Sequence, residues 1–170
     1  FDHMAQMRLT LARDIPEPGK DGFAEQLPRR ILQSIDRSRG RALVLFTSNT
    51  LMQHMADELA YKLEERRLKL LVQGGSLQRH ELLEQFKQDV HSVLFGLDSF
   101  WMGIDVPGEA LEHVIITRLP FAVPNHPLVE ARLELIEKRG GNAFMEFSLP
   151  ESILKFRQGV GRLLRSRPPR

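Results

Sequence analysis

Ala42-Leu43-Val44-Leu45-Phe46-Thr47-Ser48-Asn49-Thr50 is the stretch whose reading decides the fold. Its first five residues are continuously apolar, the pattern of a strand covered on both faces. The run then turns polar without a break. Thr50 and Gln53 have the spacing of a capping box, which predicts a helix starting there. That helix carries Leu51, Met55, Leu59 and Leu63 on one face. A buried strand feeding directly into an amphipathic helix is the first half of a strand–helix–strand unit. Thr50 has a structural task in that unit. Thr47, Ser48 and Asn49 are left as polar groups at a strand's carboxyl end, where open α/β sheets place their ligands.

The same alternation continues outward. Residues 69–72 read as a strand that runs into Gln73-Gly74-Gly75-Ser76, with Ser76 as cap of a helix through Leu82, Leu83 and Phe86. Residues 92–96 are a further strand, and 97–108 a loop rich in aspartate and glycine. Residues 113–118 are the next strand, and Pro120, Pro124 and Pro127 break the chain after it. A helix follows with Leu128, Ala131 and Leu135 on its apolar face, stopped by Gly140-Gly141. Residues 142–147 form a short helix, and Ser148 with Glu151 makes a second capping box for the last one. Upstream, residues 24–37 are a helix with Leu27, Ile31 and Ile35 inward and Pro28 in its first turns. Residues 14–22 are a loop, and 7–11 alternate as a short strand. Strands alternating with helices predict an α/β fold with a mostly parallel sheet and helices on both faces. Three segments then lie at strand carboxyl ends: 47–49, 74–76 and 98–105.

Composition narrows the chemistry. A length of 170 residues suits one domain with a real core. The net charge is only +2, so any nucleic-acid contact has to come from local patches. The absence of cysteine removes disulfides, thiol catalysis and iron–sulfur ligation from this segment, and it fits a reducing, cytoplasmic compartment. No apolar run reaches the roughly 20 residues of a membrane span. The six histidines show no ligand spacing, so no metal site is expected here.

The last helix holds the most specific pattern, Gln158-Gly159-Val160-Gly161-Arg162-Leu163-Leu164-Arg165. At about 100° per residue, Gln158, Gly161, Arg162 and Arg165 share one side. Ile153, Phe156, Val160, Leu163 and Leu164 share the other. The polar strip is either a solvated basic face or a surface that meets an anion. Guanidiniums keep their charge and match phosphate oxygens with a planar fork. Gly19-Lys20-Asp21 lacks the spacing and the preceding strand of a P-loop. Gly159-Val160-Gly161 lacks both the strand and the third glycine of a dinucleotide fingerprint. Asp57-Glu58 sits on the solvent side of a helix, not at a Walker B position. The segment thus has no complete nucleotide site of its own. Asp98 and Asp105 could pair for metal or acid–base work, or cap loop amides. Trp101 could stack on a base or anchor packing, and Phe100 is a core candidate.

Taken in order, Phe46-Thr47-Ser48, Gln73-Gly74, the run Gly96-Leu97-Asp98-Ser99-Phe100-Trp101-Met102-Gly103-Ile104-Asp105, and Gln158 to Arg165 resemble the motifs of superfamily 2 helicases. The match is to the DinG branch of the XPD-like DNA helicases and covers nearly the whole chain. The resemblance implies a RecA-like three-layer fold. It implies that residues 1–170 are the second motor domain, bearing motifs IV, V and VI, of a larger and monomeric protein. It further implies that Gln158, Arg162 and Arg165 face ATP and Mg²⁺ held on an absent first RecA-like domain, with Arg165 as arginine finger. Gly161, Gly103 and Asp105 would lie near the nucleotide. Thr47, Ser48, Gly74, Asp98 and Trp101 would contact single-stranded DNA. Any iron–sulfur cluster would belong elsewhere in the parent. Met102 departs from the glutamate usual in this branch. Motifs of the first motor domain are missing, and the chain stops where the family continues into another strand. On that resemblance the segment alone is expected to be inactive. A non-catalytic RecA-like adaptor and an RNA helicase are the rival readings.

Overall fold

The computed structural model describes residues 8–97, 100, 106 and 110–160. Helix α1 spans Phe23–Ser38, strand β1 Ala42–Leu45, α2 Asn49–Glu65, β2 Lys69–Val72, α3 Arg79–Gln88, β3 Ser92–Gly96 and β4 His113–Ile116. Helix α4 (Pro127–Lys138), a π-helical turn (Phe144–Ser148) and α5 (Leu149–Val160) complete the described chain. The four strands form one parallel sheet in the order β2-β3-β1-β4.

The apolar run is buried because β1 is an interior strand. All four of its residues are inaccessible, as is Phe46 beyond them. Alternate residues point to opposite faces of the sheet. Ala42, Val44 and Phe46 join Val93 and Phe95 under α1 and α2. Leu43, Leu45, Leu71 and Leu94 meet Leu82 and Phe86 of α3 on the other face, together with Phe100, Val106, Ala110 and Leu111. The distribution of helices follows from strand order. The β1-to-β2 connection runs one way along the sheet on the α2 face. The β2-to-β3 connection runs back, and to keep one hand it has to use the other face, where α3 lies.

Several local expectations are corrected. Residues 8–11 form no strand, and Leu9 and Leu11 are exposed: alternation alone does not supply a neighbouring strand. Helix α1, by contrast, runs as expected, from Phe23 to Ser38 with Pro28 in its second turn. The N-cap of α2 is Ser48, not Thr50. Ser48 has the extended backbone a cap requires (φ −130°, ψ 125°), and its hydroxyl accepts from the Leu51 N–H at 3.3 Å, whereas Thr50 is already helical. Gln78, not Ser76, caps α3, with Glu81 closing the box through the Gln78 N–H at 2.7 Å. Ser148 caps nothing, because the π-helical turn runs directly into α5.

The carboxyl-terminal part is held by polar and aromatic contacts. Phe121 and Phe144 stack with centroids 5.9 Å apart, Arg132 lies over the Phe147 ring, and Arg139 pairs with Glu146. The expected apolar face of α4 is open: Leu128 and Leu135 are 77% and 66% exposed, and only Ile136 is buried. In α5, Ile153 and Leu154 are exposed and Ser152 is buried instead. Helical periodicity marks an apolar face but does not say what covers it.

His113, half-buried on β4, titrates below the usual histidine range. Burial is the main cause; Arg37 and Arg30 add to it, against a hydrogen bond to the Ser34 carbonyl. The unfolded chain therefore binds a proton more readily than the native one. Stability from this group is full above the unfolded pKa of about 6.5 and falls as pH drops toward the folded value. Thermal unfolding should show a lower midpoint at pH 5.5 than at pH 7.5, and His113→Asn should flatten that dependence.

Candidate nucleic-acid and nucleotide-facing site

The sheet brings three strand exits side by side. Phe46 N–H donates to the Gly96 carbonyl at 2.9 Å, so the exit of β1 adjoins that of β3. Gln73 N–H donates to the Phe95 carbonyl at 3.0 Å, which sets the exit of β2 on the other flank. The connections from β1 and β3 leave in opposite directions along the sheet. The crevice between these strands is thus the topological switch point at which open α/β sheets bind ligands.

Thr47, Ser48 and Asn49 are exposed at this crevice. Ser48 uses a lone pair to cap α2, which leaves its hydroxyl proton available to a ligand oxygen. Gly74 is exposed with φ +85°, a conformation that side-chain-bearing residues rarely adopt, and it turns the chain out of the sheet after β2. On the far side of β1, Thr117 is buried and donates its hydroxyl to the Leu45 carbonyl at 3.0 Å. Arg118 follows it, exposed and without an ion pair among the described residues.

Of the expected site residues, Thr47, Ser48 and Gly74 come together along one end of the sheet. Gln158 is exposed on α5, the helix that continues directly from the π-helical turn. Asp98, Trp101, Gly103, Asp105, Gly161, Arg162 and Arg165 lie outside the described residues. Phe100 is fully buried, as expected of a core residue, and a side chain on Gly96 would meet its ring at 2.9 Å.

Three contributors escape a reading by sequence. The Gln73 side-chain oxygen accepts from the Leu97 N–H at 2.7 Å, and the Arg79 guanidinium lies 5.2 Å from the Phe100 ring centroid. Arg118 is the third. Gln73 carries a readable signal, an amide directly after a strand and before a glycine. Arg118 carries the same signal, a polar residue at the end of an apolar run, whereas Arg79 carries none, since only folding brings it against Phe100.

A cavity of about 420 Å³ lined by Asp36, Arg39, Arg66, Arg67, Leu68 and His91 lies at the opposite, amino-terminal end of the strands. Two helices end there, and basic residues offset the partial negative charge of such ends. Arg66 is already paired with Asp36 at 2.7 Å, so this cavity is not the strand-exit site. Among the described residues no cluster of carboxylates and imidazoles could hold a metal ion, and no helix is long and apolar enough to cross a membrane.

Residues 31–169 match the family model for the helicase C-terminal domain. The chain belongs to the helicase C-terminal domain family. The parallel sheet with helices on both faces is the RecA-like α/β fold expected of such a domain. The domain is 39% identical over 97% of its length to the ATP-dependent DNA helicase YoaA of Haemophilus influenzae. It is 40% identical over 97% to the ATP-dependent DNA helicase DinG of Photobacterium profundum, and 38% identical over 98% to a Bacillus subtilis protein named 3'-5' exonuclease DinG. These matches agree with the DinG-type resemblance of the motifs. The chain spans 25%, 24% and 18% of those three relatives.

Proposed function

We propose that the helicase C-terminal domain described here is the second motor domain of an ATP-dependent DNA helicase. It grips single-stranded DNA at the strand exits and offers its last helix to ATP bound on a first RecA-like domain. The observation that carries this reading is the placement of exposed Thr47, Ser48 and Gly74 along one end of the sheet, with Thr47 and Ser48 at the switch point and Gly74 on the flank beyond β3. Hydroxyls and backbone amides in such a row suit the phosphates of an extended strand, which fix position without reading sequence. Arg118, exposed beside Thr117, adds a cation to that row.

The nucleotide side rests on Gln158, Gly161, Arg162 and Arg165, with Gly103 and Asp105 nearby. When bound, ATP with Mg²⁺ supplies the phosphoryl transfer. An arginine presented across a cleft stabilises the charge that develops on the transferring group. The exposed Gln158 on α5 suits a role facing another domain. Opening and closing of the cleft would draw single-stranded DNA across both domains. Asp98 and Trp101 belong to the same DNA-facing set, and the metal is held by the first domain. The names of the YoaA and DinG relatives support this reading.

Ser48→Asp tests the DNA half. Aspartate still caps α2, so stability should hold, but its charge repels phosphates. Fluorescence anisotropy with a labelled single-stranded oligonucleotide should show affinity about tenfold weaker, with a shallower salt dependence if a cation contact is also lost. Ser48→Ala should instead cost about 1 kcal/mol of stability through the cap. Equal binding by wild type and Ser48→Asp would remove the strand-exit interface. An RNA oligonucleotide of the same sequence distinguishes an RNA-directed domain.

A further inference from the structure

We propose that Gln73 and Arg79 are positioning residues that lock two strand-exit loops into one unit. The proposal rests on the reading of those exits as the DNA-facing site. The loop of residues 74–78 leaves β2, and the hydrogen bond from Phe100 N–H to the Leu97 carbonyl closes a turn after β3. Gln73 stands at the first end of the loop and Arg79 at the second, and each reaches across to the turn.

The chemistry at each end differs. Beyond Gln73 the strand departs from the sheet, because Gly74 adopts φ +85°. The next backbone donor of β3, Leu97 N–H, thereby loses the carbonyl that a continuing β2 would offer. The Gln73 side-chain oxygen replaces it at 2.7 Å, in a part-buried setting where an unpaired N–H is costly. The Leu97 carbonyl in turn accepts from Phe100 N–H at 2.8 Å, which closes the turn. Phe100 is fully buried beneath Gly96, which has no side chain to obstruct the ring. At the other end, the Arg79 guanidinium lies 5.2 Å from the Phe100 centroid, the geometry of a cation over an aromatic face.

The result is a closed ring of contacts: Gln73 to Leu97, Leu97 to Phe100, Phe100 to Arg79, and the loop back to Gln73. Gly74, proposed to meet DNA, sits inside this ring. A displacement of the turn is therefore passed to the DNA-facing loop at two points.

The test separates acceptor chemistry from bulk. Gln73→Met keeps the length and removes the acceptor. Gln73→Glu keeps an acceptor oxygen. Arg79→Met keeps the stem and removes the cation. Amide hydrogen exchange, read residue by residue by NMR on the 170-residue chain, should be about tenfold faster at Leu97 in Gln73→Met and near wild type in Gln73→Glu. Arg79→Met should speed exchange at Phe100 and at Leu97 together. Affinity for a single-stranded oligonucleotide should fall about fivefold in Gln73→Met; Gln73→Glu, whose added charge repels phosphates, is read by exchange alone. Unchanged Leu97 exchange in Gln73→Met, or faster exchange there with unchanged DNA affinity, would overturn the proposal. A wild-type chain that binds no DNA, with the linked exchange pattern present, would remove the proposed function and leave the contact ring standing.

Discussion

Arg165→Ala, in a longer helicase carrying this domain, is expected to lower ATP turnover about a thousandfold under saturating ATP and DNA. The expectation follows from the proposed role of Arg165 as the arginine that meets the transferring phosphoryl group. Arginines in that position contribute factors of about 10³ or more, because they stabilise charge present mainly in the transition state. Removing such an interaction lowers kcat and leaves the KM for ATP nearly unchanged. Arg165→Lys should recover little, since a point charge on a flexible stem cannot reproduce the planar fork. Single-stranded DNA affinity should stay within about twofold of wild type, because the proposed DNA contacts lie on other elements. Steady-state ATPase assays with parallel anisotropy measurements check all three. Turnover within a few-fold of wild type would move the role to Arg162 or out of this helix. The domain alone should hydrolyse no ATP, and Arg165-dependent turnover by it would contradict the two-domain reading.

Phe46→Ala is expected to destabilise the domain by about 3–5 kcal/mol, the range for deleting a buried aromatic side chain. Phe46 is fully buried and packs against Phe95 at 5.1 Å between ring centroids. The loss comprises the apolar surface returned to water and the cavity left under α1 and α2. Total stability of such domains is about 5–15 kcal/mol, so the change is large. At this length each kcal/mol shifts the midpoint by about 2–4 °C, so the thermal unfolding midpoint followed by circular dichroism should fall by about 6–20 °C. Phe46→Leu keeps most of the volume and should cost far less. A midpoint within about 2 °C of wild type for Phe46→Ala would mean that the two rings are not the centre of this core.

How far these effects could be foreseen varies along the chain. The continuous apolar run at 42–46 announced a two-sided strand, and β1 is buried along its whole length. The placement of Thr47, Ser48 and Gly74 at strand exits was legible for the same reason, since a strand's end is marked where apolar residues stop. Cap positions were not legible. Ser48 and Thr50 are both good capping residues by type, and only the backbone angles at Ser48 decide between them. At α3 the cap falls on Gln78 although Ser76 is the better capping type, so residue type pointed to the wrong position. The apolar faces of α4 and α5 were legible as faces, yet Leu128, Leu135, Ile153 and Leu154 stand exposed. Amphipathicity is local, whereas burial depends on which element arrives opposite.

The sequence by itself determined the alternation of strands and helices, the buried strand at 42–46 and the family to which the chain belongs. These follow from periodicity and from motif residues, which are properties of neighbours along the chain. The tertiary structure alone decided the strand order β2-β3-β1-β4, and with it the crevice between β1 and β3. It also brought Gln73 to Leu97, 24 residues away, and Arg79 to Phe100. Contacts of this kind join residues far apart in the chain through hydrogen bonds and ring faces that no local pattern encodes, so they exist only once the sheet has closed its order.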